Sequence, residues 1–250
     1  MSGHSKWSTI KRKKGAADAK RGQIFTRLAR EIAIAAREGG GDPEANFRLR
    51  LAIDRARANN MPKDNIERAI ARGTGEGKDG SELEEVIYEG YAPHGIALMV
   101  ECVTDNRNRA VADIRHVLNR YGGSMGEAGS VGWQFSRVAY YSFPAEGIDN
   151  DEVFELAVEA GADDVTFDEE IEIVAPVENF KAIGDQLRKV GINPEEAGLK
   201  MIPNTEIELN PADTLQILKV IDAIEELDDV QDVYSNLSIP EEMLAELEAA

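Results

Sequence analysis

Apolar side chains recur every three to four positions along the first seventy residues, then fall into short alternating runs. Over residues 18–37, Ile24, Leu28 and Ile32 are spaced by four, with Phe25, Ala29, Ala35 and Ala36 widening the stripe. That spacing predicts an amphipathic helix, and Gly39-Gly40-Gly41 predicts its end. Asp42 as cap and Pro43 at the first helical position predict a second helix. Pro62, with Asp64 in the first turn, predicts a third that carries Ile66, Ala69 and Ile70 and stops at Gly73.

Residues 73–85 are rich in glycine and acid without apolar periodicity and read as a linker. Strands are expected at 86–91 and 96–103, joined by a turn at Pro93-His94-Gly95. A helix follows over 107–121, with Ile114, Leu118 and Tyr121 on one face and Gly122 closing it. A glycine-rich loop then leads to a strand containing Trp133 and Phe135.

Beyond this point strands at 138–143, 165–167, 171–174 and 199–202 alternate with helices at 151–160 and 179–190. That order is βαββαβ, a ferredoxin-like unit. The set at 86–135 lacks a partner half, and so does the strand–helix–strand at 206–209, 212–227 and 230–234. The fold class expected is therefore α+β, with an N-terminal three-helix basic domain and two ferredoxin-like α+β domains, one inserted in the other. The boundaries are 1–80 for the helical domain with its linker, 81–136 plus 204–250 for the split domain, and 137–203 for the inserted acidic one. Residues 240–250 read as a short helix or a frayed tail.

Charge adds a second division. The chain has a net charge of −19, from 28 basic and 47 acidic residues. Residues 1–80 hold 18 basic and 10 acidic side chains, whereas residues 81–250 hold 10 and 37. A basic end on an otherwise acidic chain suits contact with a polyanion. The lone Cys102, inside the apolar run 96–103, excludes an internal disulfide and reads as a buried, inert thiol. Nothing approaches the ~20 apolar residues of a membrane span. The basic N-terminus has no apolar segment behind it, so it is not a secretory signal, and a cytoplasmic protein is expected.

Several patterns imitate enzymes and fail on context. Gly75-Glu76-Gly77-Lys78-Asp79-Gly80 matches G-x-G-x-x-G, but it follows a helix and precedes a strand, the reverse of a dinucleotide site. As a P-loop it has Arg72 in place of the first glycine and Asp79 in place of the magnesium-binding hydroxyl. Gly122-Gly123-Ser124-Met125-Gly126 matches a nucleophile elbow, yet His4, His94 and His116 all precede Ser124. A flexible helix-to-strand connection is the plainer reading, with a phosphate-cradling nest over 122–132 as the other. No cysteine–histidine spacing suits a metal, and the runs Asp163-Asp164, Asp168-Glu169-Glu170 and Glu225-Glu226 lack the form of a calcium loop. Glu169 with Glu172 would need an apolar pocket to work as an acid–base couple. No catalytic residues, cofactor or metal are expected, and no small-molecule substrate.

The basic end is the informative segment. Lys6, Lys11, Arg12, Lys13, Lys14, Lys20, Arg21, Arg27 and Arg30 stand against a single acid, Asp18, within thirty residues. Trp7 lies inside this cluster, either to anchor it or to stack on a base. On the second helix Arg48 and Arg55 flank the apolar face on one edge, and Arg50 and Arg57 on the other. Arginines in such rows suit phosphate contacts, or pairing with acids such as Asp54 and Glu67. A body of net −27 repels nucleic acid, so the ligand is expected to stay on the N-terminal domain. Phosphate contacts supply affinity without sequence readout, which leaves DNA and RNA equally open.

Five stretches then carry a resemblance: Gly3-His4-Ser5-Lys6-Trp7; Ala17-Asp18-Ala19-Lys20-Arg21-Gly22 before Ile24-Phe25-Thr26; Asn60-Met61-Pro62-Lys63-Asp64-Asn65-Ile66; Thr104-Asp105-Asn106-Arg107-Asn108-Arg109; and Gly129-Ser130-Val131. Together, and in this order, they resemble the YebC/PmpR family, which also includes the mitochondrial translational activator of cytochrome c oxidase. The resemblance runs nearly end to end and implies a three-domain fold. It implies a DNA-binding transcriptional regulator or, as the alternative, a ribosome-associated translation factor that binds rRNA and relieves stalling at proline-rich stretches. The acidic domains would then face basic ribosomal proteins.

Overall fold

The structure, a computed structural model, describes residues 18–76, 83–240 and 243. Three helices come first: α1 (Asp18–Gly39), α2 (Phe47–Ala58) and α3 (Lys63–Gly73). Leu28, Ile32, Ala35 and Ala36 of α1 meet Leu49, Ala52, Ile53 and Ala56 of α2 and Ile66 and Ala69 of α3 in one core. Ile24, expected on this stripe, is exposed. The opposite face of α1 is buried too, because Ala33 and Ile34 pack against Leu83 and Val103. A helix apolar on both sides is a buried helix, and α1 runs between the small bundle and the sheet that follows it.

The second helix begins four residues later than Asp42 and Pro43 suggest. Asp42 organises a turn instead, its carboxylate accepting from Glu44 N at 3.0 Å and its carbonyl from Asn46 N at 2.9 Å. Asn46 is the true cap: its Oδ1 accepts from Leu49 N at 3.1 Å. Its Nδ2 donates to the carbonyls of Ala35 and Gly40 at 2.7 and 2.8 Å, tying the start of α2 to the end of α1. A buried side chain that satisfies both helices outcompetes an exposed aspartate.

A four-stranded antiparallel sheet follows, in the order β3-β1-β2-β9. Its strands are β1 (Glu84–Tyr91), β2 (Ala97–Thr104), β3 (Ser124–Met125) and β9 (Val230–Ser235). Helices α4 (Arg107–Tyr121) and α7 (Pro211–Glu225) close its core, where Ile96, Leu98, Val100 and Cys102 meet Ile114, Leu118, Ile217 and Ile221. The short strands β8 (Ile207–Glu208) and β10 (Leu237–Ser238) pair in parallel. Of residues 240–250, Pro240 and Met243 are described, and Met243 is buried in this core; the expected terminal helix otherwise lies outside the described residues.

A strand was expected at Trp133 and Phe135, and that expectation needs correcting. Gly132–Gln134 form a 3-10 turn, and Phe135 opens β4 (Phe135–Pro144). Strand β4 then continues through α5 (Asn150–Glu159), β5 (Asp164–Phe167), β6 (Glu170–Ala175), α6 (Phe180–Lys189) and β7 (Glu196–Pro203). Their sheet order, β5-β6-β4-β7, is that of a ferredoxin-like βαββαβ unit. Residues 136–202 form one compact unit, and the described residues before and after them form the other. In the 136–202 unit Tyr141, Phe143, Ile171 and Ile173 point to one side of the sheet with Val153, Ala157, Ile183 and Leu187 in the core. The Tyr141 ring stacks on Phe180 at 5.2 Å.

Candidate nucleic-acid interface

The basic residues expected to hold phosphate divide sharply once their partners are known. Lys6, Lys11, Arg12, Lys13 and Lys14 lie outside the described residues, as does Trp7. Lys20 and Arg21 occupy the first turns of α1, with side chains outside the described set.

Arg27 and Arg30 turn toward the protein. Arg27 donates to the carbonyl of Glu225 at 2.7 Å, and Arg30 donates to the carbonyl of Asp228. Gln23 joins them on the carbonyl of Glu226 at 3.2 Å. These acceptors are the terminal carbonyls of α7 and the turn beyond it, which have no partners within the helix and lie at the negative end of its dipole. Arg30 also meets the carboxylate of Asp229 at 2.9 Å. Both arginines therefore clamp α1 to the sheet domain.

The second helix shows the same economy. Arg48 bridges Glu38 of α1 and Glu85 of β1, and Arg55 pairs with Glu31 of α1 at 2.9 Å. Arginines seven apart on α2 thus match glutamates seven apart on α1. On the other edge Arg50 lies over the Phe47 ring at 5.2 Å, with Glu44 at 4.0 Å. Arg57 pairs with Asp54 at 3.3 Å and keeps 69% of its side chain exposed, the most of the four. Pairing with acids accounts for these rows, and only Arg57 reaches well into solvent.

The backbone donors of the glycine-rich loop are already taken. Glu89 of β1 reaches into it: Oε1 accepts from Gly129 N at 2.6 Å, and Oε2 from Val131 N and Gly132 N at 2.7 and 2.9 Å. Burial alone raises the carboxyl's pKa, but these three N–H groups more than offset it and hold Glu89 below the ordinary carboxylate range. A nest of backbone donors does exist over this stretch, and the anion it holds is the protein's own. At Gly126 an added Cβ would meet Ser130 Oγ at 2.2 Å, so a larger residue there needs the serine hydroxyl to turn aside.

Other candidate chemistry resolves plainly. Cys102 is buried, and burial pushes its thiol up to about 12, so it stays protonated at neutral pH. Glu172 is 4% exposed and raised by burial, whereas Glu169 is exposed at the β5–β6 turn. Among the described residues no cluster of three or more His, Cys, Asp or Glu is placed to hold a metal ion, and no helix is long and apolar enough to cross a membrane. Of the G-x-G-x-x-G match, residues 77–80 lie outside the described set.

Comparison with known proteins places this geometry. One family model, the TACO1/YebC protein N-terminal domain, matches residues 5–76, and a second, the TACO1/YebC second and third domain, matches residues 83–237. The chain belongs to the TACO1/YebC family. A relative from Geotalea uraniireducens, named a probable transcriptional regulatory protein, is 54% identical over 97% of this chain and 98% of its own length. Another of that name, from Chlorobaculum tepidum, is 52% identical over 99% of both chains. Among solved structures, a conserved hypothetical protein from Aquifex aeolicus superposes with a TM-score of 0.80 at 44% identity, covering 89% of this chain and 92% of that one. The family's α+β architecture, with its N-terminal helical region, is the one found here.

Features that sequence reasoning passed over are the exposed Trp133 and the arginines of α4. A signal for the second was present: four of the ten basic residues in 81–250 fall within 107–120.

Proposed function

We propose that this protein is a non-enzymatic regulator of gene expression that binds nucleic acid in the cytoplasm through phosphate contacts at its basic N-terminus. The observation that carries the reading is the split of charge, 18 basic and 10 acidic residues in 1–80 against 10 and 37 beyond. Because Arg27, Arg30, Arg48 and Arg55 have internal partners, the phosphate contacts fall to Lys6, Lys11, Arg12, Lys13, Lys14, Lys20 and Arg21, with Arg57 as a further contact. The relatives' name, probable transcriptional regulatory protein, supports a regulator, and duplex DNA is the ligand it suggests.

Ribosomal RNA is the second reading. The 136–202 unit favours it, with 16 acidic and 5 basic residues, a surface complementary to basic ribosomal proteins. Co-sedimentation with purified ribosomes, with non-specific duplex DNA as competitor, separates the two. Pelleting that survives the competitor and is lost when Lys11, Arg12, Lys13 and Lys14 all become alanine identifies a translation factor. Sequence-dependent DNA binding without pelleting identifies a transcriptional regulator. Unchanged affinity of that fourfold variant for every nucleic acid overturns the site.

A further inference from the structure

Helix α5 carries more apolar surface than the core of the 136–202 unit covers. Val153 and Ala157, 1% and 0% exposed, face that core. Leu156 lies half-buried on one flank. On the other flank Phe154 and Val158, each one residue and so about 100° beyond a core position, are 50% and 52% exposed. From Leu156 to Val158 the apolar arc spans about 200°, roughly twice what burial of one face requires. Helix α1 has a similar excess, and there Leu83 and Val103 bury the second face. On α5 the second face stands in solvent. Single exposed apolar side chains are ordinary on a protein surface. Phe154 and Val158, four apart on one helix, are neighbours in one patch. The other exposed large apolar side chains among the described residues stand singly along the chain.

The rim of this patch is acidic on the side away from the core. Asp151 precedes Phe154 by three residues and Glu155 precedes Val158 by three, the spacing of neighbours on a helix, and Glu152 and Glu159 lie beyond them. All four are exposed, and α5 holds no basic residue. None of these four carboxylates has an ion-pair or hydrogen-bond partner among the described residues, whereas Glu31, Glu38 and Glu85 each meet an arginine. Asp151 and Glu152 suit the positive end of the helix dipole, but Glu159 stands at the negative end. Asp151 with Glu155, and Glu155 with Glu159, are also like charges four apart, which destabilise a helix. Charge kept here against the helix's own stability, with no internal partner, is left for an external one.

We propose that Phe154 and Val158 anchor a basic segment of a partner protein, whose own apolar side chains cover the two and whose lysines or arginines meet Asp151 and Glu155. Buried aromatic and aliphatic anchors supply the affinity of such a contact, and the charged rim supplies its selectivity and rate. Nucleic acid is repelled by the four acids, and a purely apolar partner leaves them without counter-charge. The inference deepens the ribosomal reading above, on which it rests for the source of the partner, by naming the surface where a basic protein docks.

The test uses the full chain and a short fluorescein-labelled peptide of leucine and lysine patterned as an amphipathic helix, with an all-lysine peptide of the same length as control. The unaltered protein is expected to bind the leucine–lysine peptide at least about tenfold more tightly than the control. Phe154→Ala with Val158→Ala is expected to remove that advantage while Tm stays within about 2 °C, since both side chains are exposed. Asp151→Asn with Glu155→Gln is expected to weaken binding of both peptides and to flatten its salt dependence. Amide NMR shifts on adding the leucine–lysine peptide are expected to centre on residues 150–159. Equal affinity of the Phe154→Ala, Val158→Ala protein for that peptide overturns the surface. So does equal binding of the two peptides by the unaltered protein, which reduces the acids to a diffuse charge effect. Self-association of the unaltered protein that the same double substitution abolishes makes a second copy the occupant and also overturns it. No ribosome or nucleic acid enters this experiment, so the ribosomal reading fails separately, by the pelleting experiment above.

Discussion

Arg30 of α1 meets the carboxylate of Asp229 at 2.9 Å, and Asp229, 4% exposed, also accepts from Arg109 Nη2 at 2.8 Å. One buried acid thus joins the N-terminal helix, α4 and the turn before β9. Hydrogen bonding to Asp229, then to Asp105, raises Arg109 above its ordinary range. Replacing Asp229 by alanine leaves the largely buried Arg30 guanidinium without a carboxylate, while Arg109 keeps Asp105. The expected loss is about 3 kcal/mol. That corresponds to a fall in Tm of roughly 6–12 °C, read by thermal unfolding. Arg30→Ala leaves the Asp229–Arg109 pair intact and is expected to cost about 1.5 kcal/mol.

The same geometry separates structural arginines from binding ones. Arg27→Ala is expected to lower Tm while leaving the slope of log affinity against log salt unchanged. Arg57→Ala is expected to reduce that slope on duplex DNA by roughly 0.9 with little change in Tm. Titrations at several salt concentrations, with thermal unfolding of the same samples, decide between the two patterns.

Glu89 makes the glycine loop acid-sensitive. Its carboxyl lies below the ordinary range in the folded protein, so the ionised form stabilises the loop. That contribution is complete above the ordinary glutamate pKa and disappears as pH falls through the lower, folded value. Hydrogen exchange at Gly129, Val131 and Gly132 is expected to accelerate over that acid window beyond the intrinsic pH effect. In Glu89→Gln one oxygen becomes a donor, and exchange at one or more of these amides should rise about tenfold at neutral pH, with the acid transition abolished.

Gly73 ends α3 where it crosses α1. A Cβ there would sit 2.2 Å from the Ala33 carbonyl oxygen and 2.8 Å from Ala36 Cβ. Alanine ordinarily favours a helix over glycine by about 1 kcal/mol. Here the backbone contact cannot give way without moving α3, and Gly73→Ala is expected to destabilise by about 2 kcal/mol in denaturant titration.

Much of the fold was legible because each element repeats a simple period. Ile114 and Leu118 marked the inner face of α4, and the βαββαβ order at 137–203 followed from alternation and turn residues alone, with the observed first strand starting earlier, at Phe135. The misread places are those where a distant group overrode a local signal. Asn46 displaced Asp42 as a cap because it also bonds the end of α1. The strand expected at Trp133 became a 3-10 turn inside the loop that Glu89 organises from β1.

For the candidate site the same line divides what was visible from what was not. Charge sums require no coordinates, so the basic N-terminus and the acidic remainder were determined by sequence alone, as were the helix and strand periods and the family motifs. Which arginines face outward was decided only by tertiary structure. A guanidinium carries its charge wherever it lies, and its availability depends on whether a carboxylate or a helix-terminal carbonyl stands within hydrogen-bond reach. Arg27, Arg30, Arg48 and Arg55 found such partners on elements far along the chain, while Trp133, at an unremarkable position in sequence, was held out in solvent by a loop that a single glutamate closes.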